Sequence, residues 1–299
     1  MLEVKNVIKK YGDIVAVDNL SFNIKEGEIF GLLGVNGAGK TTTFRMIIGL
    51  LNPTSGTITY NGKNIDYDLK DKIGFLTEER SLLTKMTVLE QAYFYGGLKS
   101  MREKEIEKRL DELLNEFEIP EYKNRKIKEL SKGNQQKIQF IMSILNKPKL
   151  LLLDEPFSGL DPINIELFKK IILKLKKEKT MIIFSSHRMD HVEYFCDSLV
   201  ILVKGKTVLN GKLNKIKEDY GKKNIKVIAD VDENKISKIK GVLKVVKEKN
   251  ELIISIKDTS VIVNVFDYVS KCKNVSEFIV EEPSLNEIFI DKVGKAYEK

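Results

Sequence analysis

The chain has 299 residues, 42% hydrophobic and 31% charged, which is enough apolar material for a large α/β domain plus a small one and excludes a disordered chain. No apolar run approaches the ~18 residues that cross a bilayer, and Met1-Leu2-Glu3-Val4-Lys5 lacks the basic-then-apolar pattern of a secretion signal, so a cytoplasmic location is expected. The net charge of +8 comes from scattered lysines, often beside glutamates, with only six arginines among 51 basic residues; this predicts a solvated surface and no nucleic-acid partner.

The elements follow in chain order. Residues 4–9, 14–18 and 20–24 carry β-branched side chains between turn signals such as Tyr11-Gly12-Asp13 and Glu26-Gly27-Glu28, and are predicted strands. Residues 29–33 are a continuous apolar run, the pattern of a strand buried on both faces. A helix is predicted from about residue 39 to 49. Residues 57–60 with Asn61-Gly62 suggest a hairpin strand and its turn.

Residues 85–147 read as helical. Ile106, Leu110, Leu113, Leu114 and Phe117 share one helix face, and Pro120 stops the run. Ile138, Ile141, Met142 and Leu145 repeat the spacing. Strand 150–154, helix 163–177 and strand 180–185 complete an alternation that predicts a mainly parallel sheet with helices on both sides.

The polar segment 210–224 reads as a linker. Strands at 225–231, 242–247, 251–257 and 275–280 then alternate with helices at 233–240, 260–271 and 284–292, the order of a small ferredoxin-like unit. Cys196 and Cys272 sit in no metal or redox pair and read as inert thiols.

Gly34-Val35-Asn36-Gly37-Ala38-Gly39-Lys40-Thr41 matches the phosphate-loop pattern G-x-x-x-x-G-K-[ST]. Its glycines let successive N–H groups converge on phosphate oxygens at a helix N-terminus. Lys40 is expected at the β- and γ-phosphates, and Thr41 at Mg²⁺. The loop alone also fits kinases and GTPases. Apolar strand 150–154 ends in Asp154-Glu155; beside a phosphate loop, Asp154 is expected to hold Mg²⁺ and Glu155 to act as general base. His187 closes a third apolar strand at the edge where α/β folds bind ligands, and is expected to donate to the γ-phosphate. His191 reads as structural.

With these residues in place, the chain resembles the nucleotide-binding domain of ABC transporters. The decisive stretch is Leu130-Ser131-Lys132-Gly133-Asn134-Gln135-Gln136, similar to the family signature L-S-G-G-Q, with Lys132 and Asn134 as departures. Ser131 is expected to cap the helix that follows. The resemblance implies a P-loop ABC-type ATPase over residues 1–215, with a mainly parallel core sheet, an N-terminal antiparallel β part and a helical part. Residues 222–299 form an accessory α+β domain. It implies that Tyr11 stacks on adenine, that Asn36, Gly37, Ala38, Gly39, Lys40, Thr41 and Thr42 hold the phosphates, and that Ser131 and Gly133 reach ATP from a second subunit. Ser158-Gly159-Leu160-Asp161 resembles the loop that crosses the dimer interface.

Glu78 stands where the family has a glutamine near Mg²⁺; it keeps an oxygen for the metal and adds negative charge. The implied partners are a transmembrane permease subunit and a second copy of the chain, or a similar chain, in a dimer on the cytoplasmic face of the membrane. The form of the signature, Glu78-Glu79-Arg80, and the tail Glu282-Pro283-Ser284-Leu285-Asn286-Glu287-Ile288-Phe289 resemble ABC-2-type exporters, including sodium-efflux types. Two alternatives remain in view: a soluble ABC ATPase acting on ribosomes or DNA, and a regulatory ATP-binding subunit with little turnover.

Overall fold

The computed structural model describes residues 1–65, 69, 71–79 and 81–297. Arg80, part of the subgroup motif, lies outside the described residues. The chain divides into two units, Met1–Gly211 and Lys212–Lys299.

In the first unit, β1 (Leu2–Tyr11) and β2 (Ile14–Ile24) pair antiparallel, and β1 also pairs antiparallel with β4 (Ser55–Tyr60), which carries β5 (Lys63–Asn64) at its outer edge. The other strands are β3 (Ile29–Gly34), β6 (Ile73–Leu76), β7 (Leu150–Asp154), β8 (Met181–Ser185), β9 (Ser198–Val203) and β10 (Lys206–Lys212). Among the described residues these strands make one sheet in the order β5-β4-β1-β2-β10-β9-β3-β8-β7-β6. The pairs β9–β3, β3–β8, β8–β7 and β7–β6 are parallel. Every residue of β3, β7, β8 and β9 is buried; both faces of the strands are covered, which is why β3, β7 and β8 read as apolar runs.

The helices are α1 (Lys40–Ile47), α2 (Val88–Leu98), α3 (Glu103–Glu116), α4 (Lys132–Ile144), α5 (Pro162–Lys177) and α6 (Met189–Phe195). Thr87 and Glu90 close a capping box at the start of α2. The predicted apolar face of α3 is buried: Ile106, Leu110, Leu113 and Leu114, with Phe117 beyond it. Phe117, Phe140 of α4, Phe168 of α5 and Phe157 form a ring cluster with centroids 4.9–6.4 Å apart, the separations that aromatic pairs favour. Among the described residues no helix is long and apolar enough to cross a membrane.

Two expectations are corrected, and three strands are added. The segments 14–18 and 20–24 are one strand, β2, carrying Asn19 in the left-handed region (φ 50°) as an irregularity rather than a turn. Strands β6, β9 and β10 were absent from the sequence-based expectation. The presumed linker holds helix α7 (Leu213–Tyr220): Leu213 and Ile216 supply its buried face and Gly221 (φ 73°) its C-cap.

The second unit continues with β11 (Lys223–Asp230), α8 (Glu233–Ser237), β12 (Val242–Glu248), β13 (Glu251–Ile256), α9 (Val261–Val269), β14 (Lys273–Glu281) and α10 (Leu285–Tyr297). Its sheet is antiparallel in the order β12-β13-β11-β14, the arrangement of a ferredoxin-like unit. Ile225, Val227, Leu252 and Ile254 pack there with Ile236 of α8 and Val265 of α9. Ser284 and Glu287 cap α10 reciprocally.

Candidate functional site

Strand β3 delivers the chain into the loop that precedes α1. Two glycines there have no substitute. A Cβ on Gly34 (φ 152°) would stand 2.5 Å from the Leu202 carbonyl oxygen, and one on Gly39 (φ 105°) 2.6 Å from that of Ala16. Gly39 is the N-cap of α1, and no acidic side chain occupies the first turn. The first N–H groups of a helix lack intrahelical acceptors and carry the positive end of its dipole, so this terminus is built for an anion. Lys40 lies across the loop, its Nζ donating to Gly34 O at 2.7 Å and Val35 O at 3.4 Å.

Residues 35–42 form one wall of an open cleft of about 710 Å³, completed by Ala16, Glu78, Asp154, Glu155 and His187. Parallel registration brings these together: Asp154 at the end of β7 pairs with Ser185 at the end of β8. Ser185 Oγ donates to Asp154 Oδ1 at 2.5 Å. Burial pushes the Asp154 carboxyl above the usual carboxylate range; the charges of Glu78 and Glu155 push the same way, against the Ser185 bond and Lys40.

Glu155 has a left-handed backbone (φ 49°), uncommon for a residue with this side chain. Its N–H is held by Ser185 O and Oγ at 3.2 and 3.3 Å. Its Oε2 sits 3.0 Å from His187 Nδ1 and 3.4 Å from Ser186 Oγ, which donates to it. The carboxylate is nearly enclosed, whereas the His187 ring is mostly exposed. The arrangement sets a constrained carboxylate, with a histidine beside it, in one cleft with a helix end whose free N–H groups suit an anion.

Other expected residues lie elsewhere. Tyr11, 47% exposed at the β1–β2 turn, is outside the cleft lining, with Lys9 Nζ 5.2 Å from its ring centre. Ser131 and Gly133 are also outside it. Ser131 Oγ caps α4 by accepting from Asn134 N–H at 3.2 Å. His191 is buried edge-on against Phe157, and burial holds it below the usual histidine range. Sequence pattern did not single out Ser185 as the partner of Asp154, although it directly precedes Ser186-His187. It assigned no role to Gln136, seen only within the signature stretch, and gave no sign of Gln139; their amides reach from α4 to the loops beyond Glu155 and around Glu78.

The ABC transporter family profile matches residues 17–158, and that of the DrrA1-3-like ATP-binding protein C-terminal domain matches residues 211–293. The chain is 48% identical over 298 residues to YhaQ of Bacillus subtilis (strain 168), an uncharacterized ABC transporter ATP-binding protein, covering 100% of each chain. It is 47% identical to an uncharacterized ABC transporter ATP-binding protein of Alkalihalophilus pseudofirmus, over 89% of this chain and 100% of that one. Among solved structures, an ATP-binding subunit of an ABC transporter superposes with a TM-score of 0.69 and 32% identity, over 74% of this chain and 93% of that one. The dimeric cassette MJ0796 does so at 0.65 and 30%, over 71% and 99%. With full-length identity at this level, the chain belongs to the ABC transporter ATP-binding proteins, the ATPase subunits that couple ATP hydrolysis to transport.

Proposed function

We propose that the chain binds Mg-ATP in this cleft, hydrolyses it with Glu155 as general base, and so drives a separate permease that exports its substrate. The observation that carries this reading is the convergence of residues 35–42, Glu78, Asp154, Glu155 and His187 on one cleft. The N–H groups of residues 36–42 take the phosphate oxygens, and Lys40 exchanges its loop carbonyls for the β- and γ-phosphates. Glu155 accepts a proton from the attacking water. His187, held by Glu155, donates toward the γ-phosphate. Tyr11 offers its exposed ring to adenine.

Thr41, Asp154 and Glu78 are the residues to hold Mg²⁺. The donor set fits a hard cation: Glu78, Asp154 and Glu155 share the cleft with Lys40, and a cation offsets the cost of ionising buried Asp154. Among the described residues no group of three or more His, Cys, Asp or Glu side chains can cage a metal, so phosphate oxygens would complete its shell, as is common for this ion. When bound, Mg²⁺ neutralises charge developing on the phosphates.

Ser131 and Gly133 start α4 at an accessible helix end that does not line their own cleft. This favours a head-to-tail dimer, of identical or similar chains, in which that end faces the partner's γ-phosphate. Hydrolysis removes the bridging group and lets the dimer reopen. The helical part offers a groove of about 270 Å³ between β6 and α4, beside α2 with exposed Phe94 and Leu98, as a seat for the permease. Residues 1–215 then carry the nucleotide chemistry and 222–299 an accessory role on the cytoplasmic membrane face.

The Glu155→Gln variant tests the chemistry. Hydrolysis is expected to fall about 10²- to 10⁴-fold with ATP binding retained. Equal rates remove Glu155 as the base.

A further inference from the structure

Helix α4 begins at the Ser131 cap and carries two buried amide side chains that reach the catalytic edge of the sheet. Gln136 Nε2 donates to the Pro156 carbonyl at 3.2 Å, one residue past Glu155. Gln139, about 12 Å along the helix from Ser131, places its Nε2 3.0 Å from Thr77 O, 3.1 Å from Thr77 Oγ1 and 3.1 Å from Glu79 O. Thr77 Oγ1 in turn donates to Glu79 O at 2.6 Å. The turn is therefore closed around Glu78, and Gln139 is its anchor.

Two of the three acceptors are carbonyls, which only accept, so the amide atom facing them is the nitrogen. Gln139 is 4% exposed, and its Oε1 has no partner among the described residues. An unpaired buried amide oxygen is costly. An apolar side chain would avoid that cost, so what this position needs is the donor half of the amide.

We infer that Gln139 is a positioning residue for ATP hydrolysis: it fixes, from the signature helix, the turn that presents Glu78 to the cleft, and Gln136 does the same for the segment after Glu155. The inference rests on the proposed role of Glu78 at Mg²⁺. Its consequence is mechanical. Displacement of the Ser131 end is carried by one rigid element to the carboxylates of the chain's own cleft.

Gln139→Met keeps the length and apolar volume and deletes the donor bonds. It is compared, in the full chain, with wild type and with Glu78→Ala. The readouts are the Mg²⁺ dependence of affinity for a fluorescent ATP analogue, the affinity in EDTA, and the melting temperature. Both variants are expected to raise the Mg²⁺ concentration at half effect about three- to tenfold, the scale of one hydrogen bond; Gln139→Met, which keeps the Glu78 charge, is expected to leave the affinity in EDTA unchanged. Thr77→Val, which opens the turn with Gln139 in place, is expected to move the curve the same way. A normal curve for both Gln139→Met and Thr77→Val beside a shifted Glu78→Ala overturns the inference alone. A normal curve for Glu78→Ala overturns the site reading beneath it. If Gln139→Met loses its fold or its affinity in EDTA while Thr77→Val titrates normally, the amide is only structural and the inference is also overturned.

Discussion

Asp154 ends a fully buried strand, where an ionised carboxylate is disfavoured. Its carboxyl is raised above the ordinary value of 3.8, first by burial and then by Glu78 and Glu155. A carboxyl raised on folding contributes stability below its ordinary value and loses it as pH rises through the raised value; above that, the buried carboxylate is a net cost. Asp154→Asn removes this cost and leaves an oxygen for Ser185. The nucleotide-free variant is therefore expected to melt above wild type at neutral pH, with the difference narrowing as pH falls into the acid range. Thermal denaturation across pH checks this, and a lower melting temperature at neutral pH refutes it. The same variant should lose most Mg²⁺-dependent hydrolysis, because the group that destabilises the empty fold is the one proposed to meet the metal.

Helix α4 joins local and distant requirements. Its N-cap is local: Ser131 accepts from Asn134 N–H. Ser131→Ala should cost about 1 kcal/mol, about 2–4 °C in melting temperature for a domain of this size. If the exposed end also serves the partner's site, hydrolysis should fall well beyond what that loss explains, and the shortfall should appear only at protein concentrations that support dimers. Scanning calorimetry with a concentration series of ATPase rates separates the two effects.

Much of the surrounding fold was legible because its signals are local. β3, β7 and β8 are unbroken apolar runs, and the loop residues, Asp154-Glu155 and His187 follow directly from their ends. Glu78 was legible only through its place in a family motif. The rest depended on distant contacts. β6 is four residues long with Gly74 inside it, so little pattern marks it. β2 read as two strands, 14–18 and 20–24, because the irregularity at Asn19 interrupts the β pattern as a strand end does. Helix α7 was hidden by its lysines, its burial resting on Leu213 and Ile216. Gln139 has no local signature: an amide inside a helix becomes informative only when packing sets it against residues 77–79.

For the whole molecule, the first unit holds the cleft and the groove, and the second is a separately cored ferredoxin-like unit. A chain of this plan needs a membrane partner to act as a transport motor. Affinity purification of the tagged protein from detergent-solubilised host membranes should recover, in stoichiometric amount, a protein with several apolar spans of about 20 residues. Recovery only with ribosomes or nucleic acid would overturn the transport role and leave the ATPase standing. The left-handed backbone at Glu155 has a bearing on evolution in the laboratory. An L-residue pays about 1–2 kcal/mol for that conformation, whereas glycine and asparagine tolerate it. Screening libraries for heat resistance alone is thus expected to enrich replacements at this position and, with the proposed base gone, to discard turnover without warning. Thermostable descendants that still consume ATP must therefore be sought under simultaneous demand for both properties.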